Sequence, residues 1–323
     1  MEVEGLTQEL HAEERVEPAQ LALAFVQDCR DRNLAPGTIE SYSLAVKHFL
    51  EFLEQMRVHP FEVDRFTLKE YLRHRRSQSL DHKTLENNFT ALSTFYGFLA
   101  FEGHVGGNPV LIVRKRFLAE YKEGTSDESS RKLISVEQMS ALIHSILNPR
   151  DKAVAILLAK TGLRRGELVS LNVQDIDWAD GAITLEKKRF KKRSGRIVFF
   201  DDECAVVLRR WISIRETMQL QTDALFVGET GRRLMRSGIY NMMVKYAERA
   251  GLHNSKSASI EDHFSTHNFR HWFTTHLRRA GMSREFIQIL RGDKRRDAID
   301  IYDHVDKEEL RKAYLTCVPK LGI

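Results

Sequence analysis

The chain has 323 residues, 42% of them hydrophobic, with 50 Lys and Arg against 45 Asp and Glu for a formal charge of +5. That length accommodates two packed domains, and the apolar content excludes wholesale disorder. Cys29, Cys204 and Cys317 are the three cysteines; they are far apart and match no metal-type spacing, which argues against a disulfide framework or a zinc site and for a reducing, cytoplasmic compartment.

Residues 1–16 are polar and acidic and read as a loose N-terminus, without the basic stretch and apolar run of a signal peptide. No later run approaches the length of a membrane span. A helix is predicted from Pro18, with Leu21, Phe25 and Cys29 on one apolar face. Thr38 reads as the N-cap of a second helix, whose stripe is Ile39, Tyr42, Val46, Phe49 and Leu53. Thr67 to Glu70 reads as a capping box opening a third. Leu85, Phe89, Leu92, Tyr96 and Leu99 mark a fourth. Residues 17–112 are therefore expected to form a helical domain. Three glycines and an Asn-Pro between Gly103 and Pro109 break the pattern, and residues 113–131 read as a linker containing the basic triplet Arg114, Lys115 and Arg116.

The second domain, 132–323, opens with a capping box at Ser135 and Gln138. Ala153 to Ala159 is almost continuously apolar and reads as a central buried helix stopped by Gly162. Asp180-Gly181 marks a hairpin, and Arg196 to Phe200 a further strand. Helical patterns dominate from there to the end. The fold class is mainly α: a helical N-terminal domain and a mostly α second domain with a small antiparallel sheet.

Four segments carry chemistry. In Thr161-Gly-Leu-Arg-Arg-Gly-Glu-Leu168, Arg164 begins a helix and can point its fork at an anion, braced by Glu167. An isolated arginine there would more simply be a surface residue. The run 187–196 holds Lys187, Lys188, Arg189, Lys191, Lys192, Arg193 and Arg196. The bland explanation is a solvated hairpin tip, but so many cations exceed what solubility needs and suit DNA phosphates. In His267-Asn-Phe-Arg-His271, the histidines share a helical face with Arg270. The two histidines could suggest zinc, but no glutamate follows the first and no third ligand is evident. Ile301-Tyr302-Asp-His304 contains a tyrosine that nothing local distinguishes from the seven others.

Taken together, in this order and spacing, the segments resemble the tyrosine recombinase (phage integrase) family, especially its compact Xer-like members. Thr161–Leu168, His267–His271 and Ile301–His304 stand as its three boxes, and Thr38 and Tyr42 resemble an element of its core-binding domain. The resemblance implies a SAM-like helical core-binding domain and a catalytic domain forming a C-shaped clamp on DNA. It implies that Tyr302 attacks phosphorus to give a 3′-phosphotyrosine, that Arg164 and Arg270 grip the phosphate, and that Lys188 is the general acid to the leaving 5′-oxygen. His267 would assist proton transfer, while Glu167 and His271 support the catalytic set. No cofactor, metal or nucleotide enters this scheme. The partners implied are double-stranded DNA with a near-palindromic site, a homo-tetramer on two duplexes joined through the apolar C-terminal tail, and accessory proteins, in a prokaryotic cytoplasm at the nucleoid. A tail that packs on its own domain is the simpler alternative.

One position departs from the pattern. The family carries His or Trp nine residues before the tyrosine, whereas this chain has Asp293. An ionised carboxylate cannot donate a hydrogen bond to phosphate and would repel it. Pairing with Arg291, Lys294, Arg295 or Arg296 would accommodate it, or Arg291 would supply the missing donor. Two competing readings share the fold: a catalytically silent DNA-binding protein, and a type IB topoisomerase. A helical adaptor unrelated to DNA would leave the basic run without purpose.

Overall fold

The spacing of Leu21, Phe25 and Cys29 turns one face of α1 (Pro18–Asp31) into a core. The computed structural model of the protein describes residues 16–119, 133–186, 195–257, 259–293 and 306–323. The chain divides into two compact units, Met1–Thr125 and Ser126–Ile323.

The first unit is helical throughout its described residues. Helix α2 (Pro36–Met56) buries Val46, Phe49 and Leu53 as the stripe predicts, but starts earlier than Thr38. Pro36 takes the first turn, where its missing N–H costs nothing. Helix α3 (Arg65–Ser77) is capped by Asp64, whose Oδ1 accepts the N–H groups of Phe66 and Thr67 at 3.0 and 2.8 Å. The carboxylate upstream thus displaces the predicted capping box at Thr67. Helix α4 (His82–Phe101) buries all five residues of its expected stripe. A fifth helix, α5 (Val110–Phe117), occupies the start of the predicted linker and packs Val110 and Val113 into this unit. Its apolar residues run together as Val110–Val113 ahead of Arg114, Lys115 and Arg116, so no helical period shows in the sequence. The aromatic core is dense: Phe49 meets Tyr71 edge-on at 4.9 Å, and the Tyr96 hydroxyl donates to Pro60 O at 2.9 Å.

The second unit is built around α7 (Pro149–Thr161), where every residue from Ala153 to Thr161 is buried. Helices α6 (Val136–Ser145), α9 (Asp202–Thr217) and α11 (Thr266–Arg279) pack on it. The capping box of Ser135 and Gln138 forms as read from sequence. A three-stranded antiparallel sheet has the order β1 (Ile176–Asp177), β2 (Ala182–Leu185), β3 (Arg196–Phe199), with Ile183 opposite Ile176 and Val198. The remaining helices are α8 (Arg165–Ser170), α10 (Arg236–Arg249), α12 (Arg284–Arg291) and α13 (Lys307–Cys317).

Candidate active site

Two tight turns and two helix ends assemble the site. Gly162 closes α7 with φ +59°, and a Cβ on it would lie 2.4 Å from the Phe273 ring of α11, so only glycine lets the helices approach. Its carbonyl accepts Arg270 Nη1 at 2.7 Å. Two residues on, Arg164 caps α8. Gly292, with φ +60°, closes α12. There the N–H of Gly292 donates to Ile289 O at 3.0 Å and that of Asp293 to Gln288 O at 3.1 Å, the pairing of a Schellman turn. This turn presents the Arg291 carbonyl and the Asp293 side chain to the two arginines.

The forks of Arg164 and Arg270 converge. Arg164 Nη1 and Arg270 Nη2 each donate to Arg291 O at 2.9 Å. Arg164 Nη2 and Arg270 Nη2 each donate to one oxygen, Asp293 Oδ1, at 3.0 and 3.1 Å. The second carboxylate oxygen pairs with Arg291 Nε at 3.0 Å. The carbonyls at the end of α12 carry the negative end of its dipole, which favours the cations gathered there. The Arg270 side chain is 5% exposed and that of Arg164 28%. Burial, then the neighbouring Arg164 and Arg291, push Arg270 down to about 9, so it remains a cation at neutral pH. Of the partners foreseen for Asp293, Arg291 is one; Lys294, Arg295 and Arg296 lie outside the described residues.

Glu167 lies beneath this pair. Its Oε2 accepts the Arg164 backbone N–H at 2.8 Å and its Oε1 accepts Arg164 Nη1 at 3.2 Å. From β3, Arg196 clasps the same carboxylate with Nη1 and Nη2 at 3.1 and 2.9 Å and donates Nε to Leu290 O at 2.8 Å. By sequence Arg196 belongs to the run expected to contact DNA. Its buried fork instead ties β3, α8 and the end of α12 together, engaged on a carboxylate rather than free for a phosphate. A Cβ at Gly292 would sit 2.6 Å from Arg196 Nη1, so this glycine also admits the brace.

Burial pushes the Glu167 carboxyl up, but Arg196 and Arg164 outweigh it and hold the group at about 2, against an ordinary 4.5. A depressed carboxylate stabilises the fold above its unfolded value, and that contribution is lost as pH falls through its folded value. Melting of Glu167→Gln across pH is expected to show a flatter acid limb between about 4.5 and 2 than the parent. The contribution lost in the parent over that window is about 3 kcal/mol. Parallel limbs would show that the brace does not depend on the charge.

Other predicted residues fall as follows. His267 and His271 lie exposed on α11, one turn apart, with Arg270 buried between them. Among the described residues no group of three or more His, Cys, Asp or Glu side chains gathers to hold a metal ion. Lys187, Lys188, Arg189, Lys191, Lys192, Arg193, Tyr302 and His304 lie outside the described residues. In the first unit, Lys115 and Arg116 are exposed on α5, while Arg114 Nη2 donates to Thr90 Oγ1 at 2.9 Å. Sequence reasoning missed a basic stripe on α3: Arg65, Lys69, Arg73 and Arg76 repeat at helical spacing, and Arg76 Nη2 reaches Phe117 O of α5 at 3.3 Å. Its 4-4-3 periodicity was the available signal.

The C-terminal tail lies on its own unit. Val318 and Leu321 are buried, Glu203 accepts the N–H groups of Leu321 and Gly322, and Ser140 Oγ donates to Leu321 O at 2.6 Å. Lys160, fully buried, donates to Asp201 at 2.7 Å, to Glu203, and to Pro319 O at 2.7 Å. In the single chain the tail thus takes the simpler of the two arrangements weighed from sequence.

Comparison with known proteins agrees with this architecture. The XerC tyrosine recombinase of Oceanobacillus iheyensis is 29% identical over 297 residues, covering 90% of this chain and 92% of that protein. The XerC of Yersinia pestis is 26% identical over 298 residues, covering 90% and 91%. A lambda integrase dimer bound to a COC′ core site superposes with TM-score 0.66 at 17% identity, over 90% of this chain and 79% of that one. The Tn1549 transposon integrase in complex with transposon right end DNA superposes at 0.64 and 17%, over 90% and 97%. These two likenesses show the fold. The model of the phage integrase, N-terminal SAM-like domain, matches residues 21–100. With the phage integrase family model matching residues 132–309, more than half its length, the chain belongs to the phage integrase family.

Proposed function

We propose that the protein is a site-specific DNA recombinase that cleaves and rejoins duplex DNA through a 3′-phosphotyrosine at Tyr302. The observation that carries this reading is the convergence of the Arg164 and Arg270 forks on one anion position, in a chain whose Ile301-Tyr302-Asp-His304 segment follows the same turn. Two planar forks suit the non-bridging oxygens of a phosphodiester, which a pair of lysines would hold less well.

In the proposed reaction the Tyr302 oxygen attacks phosphorus and loses its proton, the phosphorus–O5′ bond breaks, and Lys188 protonates the departing 5′-oxygen. His267 relays protons near the phosphate. Glu167, held by Arg196, keeps Arg164 aimed. The new phosphotyrosine bond conserves the energy of the broken one, so a 5′-hydroxyl from a second strand can reverse the step without ATP. The cations of the run 187–193, the exposed Lys115 and Arg116 and the stripe of α3 supply sequence-independent phosphate contacts. The partners proposed are a near-palindromic duplex and a tetramer on two duplexes, in which the tail would leave its own unit for a neighbour.

The test is capture of covalent protein–DNA adducts from genomic DNA of the host, with chelator present. Adducts at a few near-palindromic sites are expected. Adducts scattered without preference would replace this reading with a topoisomerase, and salt-sensitive binding with no adduct would replace it with a silent DNA-binding protein.

A further inference from the structure

Asp293 stands at the point where the two forks meet, and its carboxylate has the charge and the paired-oxygen geometry of a phosphodiester's non-bridging oxygens. One oxygen accepts from both forks, at 3.0 and 3.1 Å, and the other lies 3.0 Å from Arg291 Nε as an ion pair. The Schellman turn at Gly292 fixes the backbone of Asp293, so only its side chain need move to vacate the position. The side chain is 27% exposed, so the forks are approachable from solvent at this point. Resting on the recombinase reading above, we propose that Asp293 is a positioning residue that stands in for the scissile phosphate: it holds Arg164 and Arg270 at one anion position and yields that position to DNA by withdrawing toward Arg291.

The electrostatics support an exchange rather than a simple block. Arg164, Arg270 and Arg291 crowd three cations into a half-buried turn, and the one other carboxylate there, Glu167, is shared with Arg196, so without Asp293 positive charge would be in excess where the two forks meet. Asp293 supplies that anion while the site is empty. When a phosphodiester arrives, one unit of negative charge replaces another at the forks, and Arg291, already paired with the second carboxylate oxygen, keeps Asp293 neutralised nearby. Apparent phosphate affinity is then lowered by the fraction of time the forks are occupied from within.

The test uses the full chain and inorganic phosphate as the probe, with calorimetry as the readout. Asp293→Asn keeps an oxygen for the forks and loses the charge. It is expected to bind phosphate about tenfold more tightly than the parent, corresponding to forks free about one tenth of the time in the parent. The gain should vanish when Arg270→Ala is added. A purely structural role for Asp293 predicts the opposite, an Asn variant that binds phosphate equally or more weakly, and that result would overturn the proposal. Asp293→Ser provides the same reading should the Asn variant not fold. No DNA is cleaved in this experiment, so it is decided separately from the adduct assay: absent adducts sink the recombinase reading, and an absent phosphate gain sinks this one.

Discussion

Replacing Arg270 by alanine is expected to slow covalent DNA cleavage by about 10²–10³-fold, the range for losing a preorganised donor to a developing charge. Arg270 makes two kinds of contact. Nη1 holds Gly162 O, which anchors it to the end of α7, and Nη2 reaches the shared anion position. The anchored half keeps the other half in place without reorganisation, and burial strengthens what that half does to a phosphate. Arg270→Lys should recover little, because an ammonium cannot hold Gly162 O and Arg291 O and still reach the anion. Single-turnover cleavage, measured beside DNA affinity, decides it. A rate loss far exceeding the affinity loss is expected; cleavage at the parental rate would remove Arg270 from the chemistry.

Lys160→Ala is expected to destabilise the second unit by about 3–5 kcal/mol, the cost of leaving a buried charge without its partner. The loss should lower the melting temperature by on the order of 10 °C. Lys160 and the Asp201 side chain are both fully buried, and Lys160 also holds Glu203 and Pro319 O. Removing the ammonium leaves Asp201 with the exposed Lys320 at 3.4 Å as its cation, takes the cation from Glu203, and cuts the tail's bond at Pro319 O, beside the residues that Glu203 holds through Leu321 and Gly322. Hydrogen exchange should therefore show residues 318–323 opening more than the rest of the unit. A melt unchanged from the parent would mean that this cluster does not hold the tail.

Much of this architecture can be read directly from residue spacing. The stripes of α1, α2 and α4 are long and regular, and burial follows them because a helix has one face to hide. Helix starts are less legible: Thr38 and Thr67 are good caps, but Pro36 and Asp64 lie upstream and act first. Helix α5 is hidden because its apolar residues form a continuous run, Val110–Val113, which declares no period ahead of three adjacent cations. In the site, Arg164, Glu167 and Arg270 could be singled out because their boxes, in order and spacing, resemble those of the family. Arg196 could not be separated from the run before it, since a guanidinium folded onto Glu167 and one facing solvent read identically in sequence. The partners of Asp293 were foreseen only within its own segment, whereas Arg164 and Arg270 come from α8 and α11, and only the fold brings them there. Lys160 gave the clearest missed signal, a single cation ending a run of buried apolar residues.

Covalent joining of Tyr302 to DNA is read out by digesting captured adducts and locating the modified peptide by mass spectrometry. A nucleotide-bearing phosphotyrosine is expected at Tyr302, formed with chelator present and lost in Tyr302→Phe. An adduct that persists in Tyr302→Phe, or that maps to another residue, would contradict it.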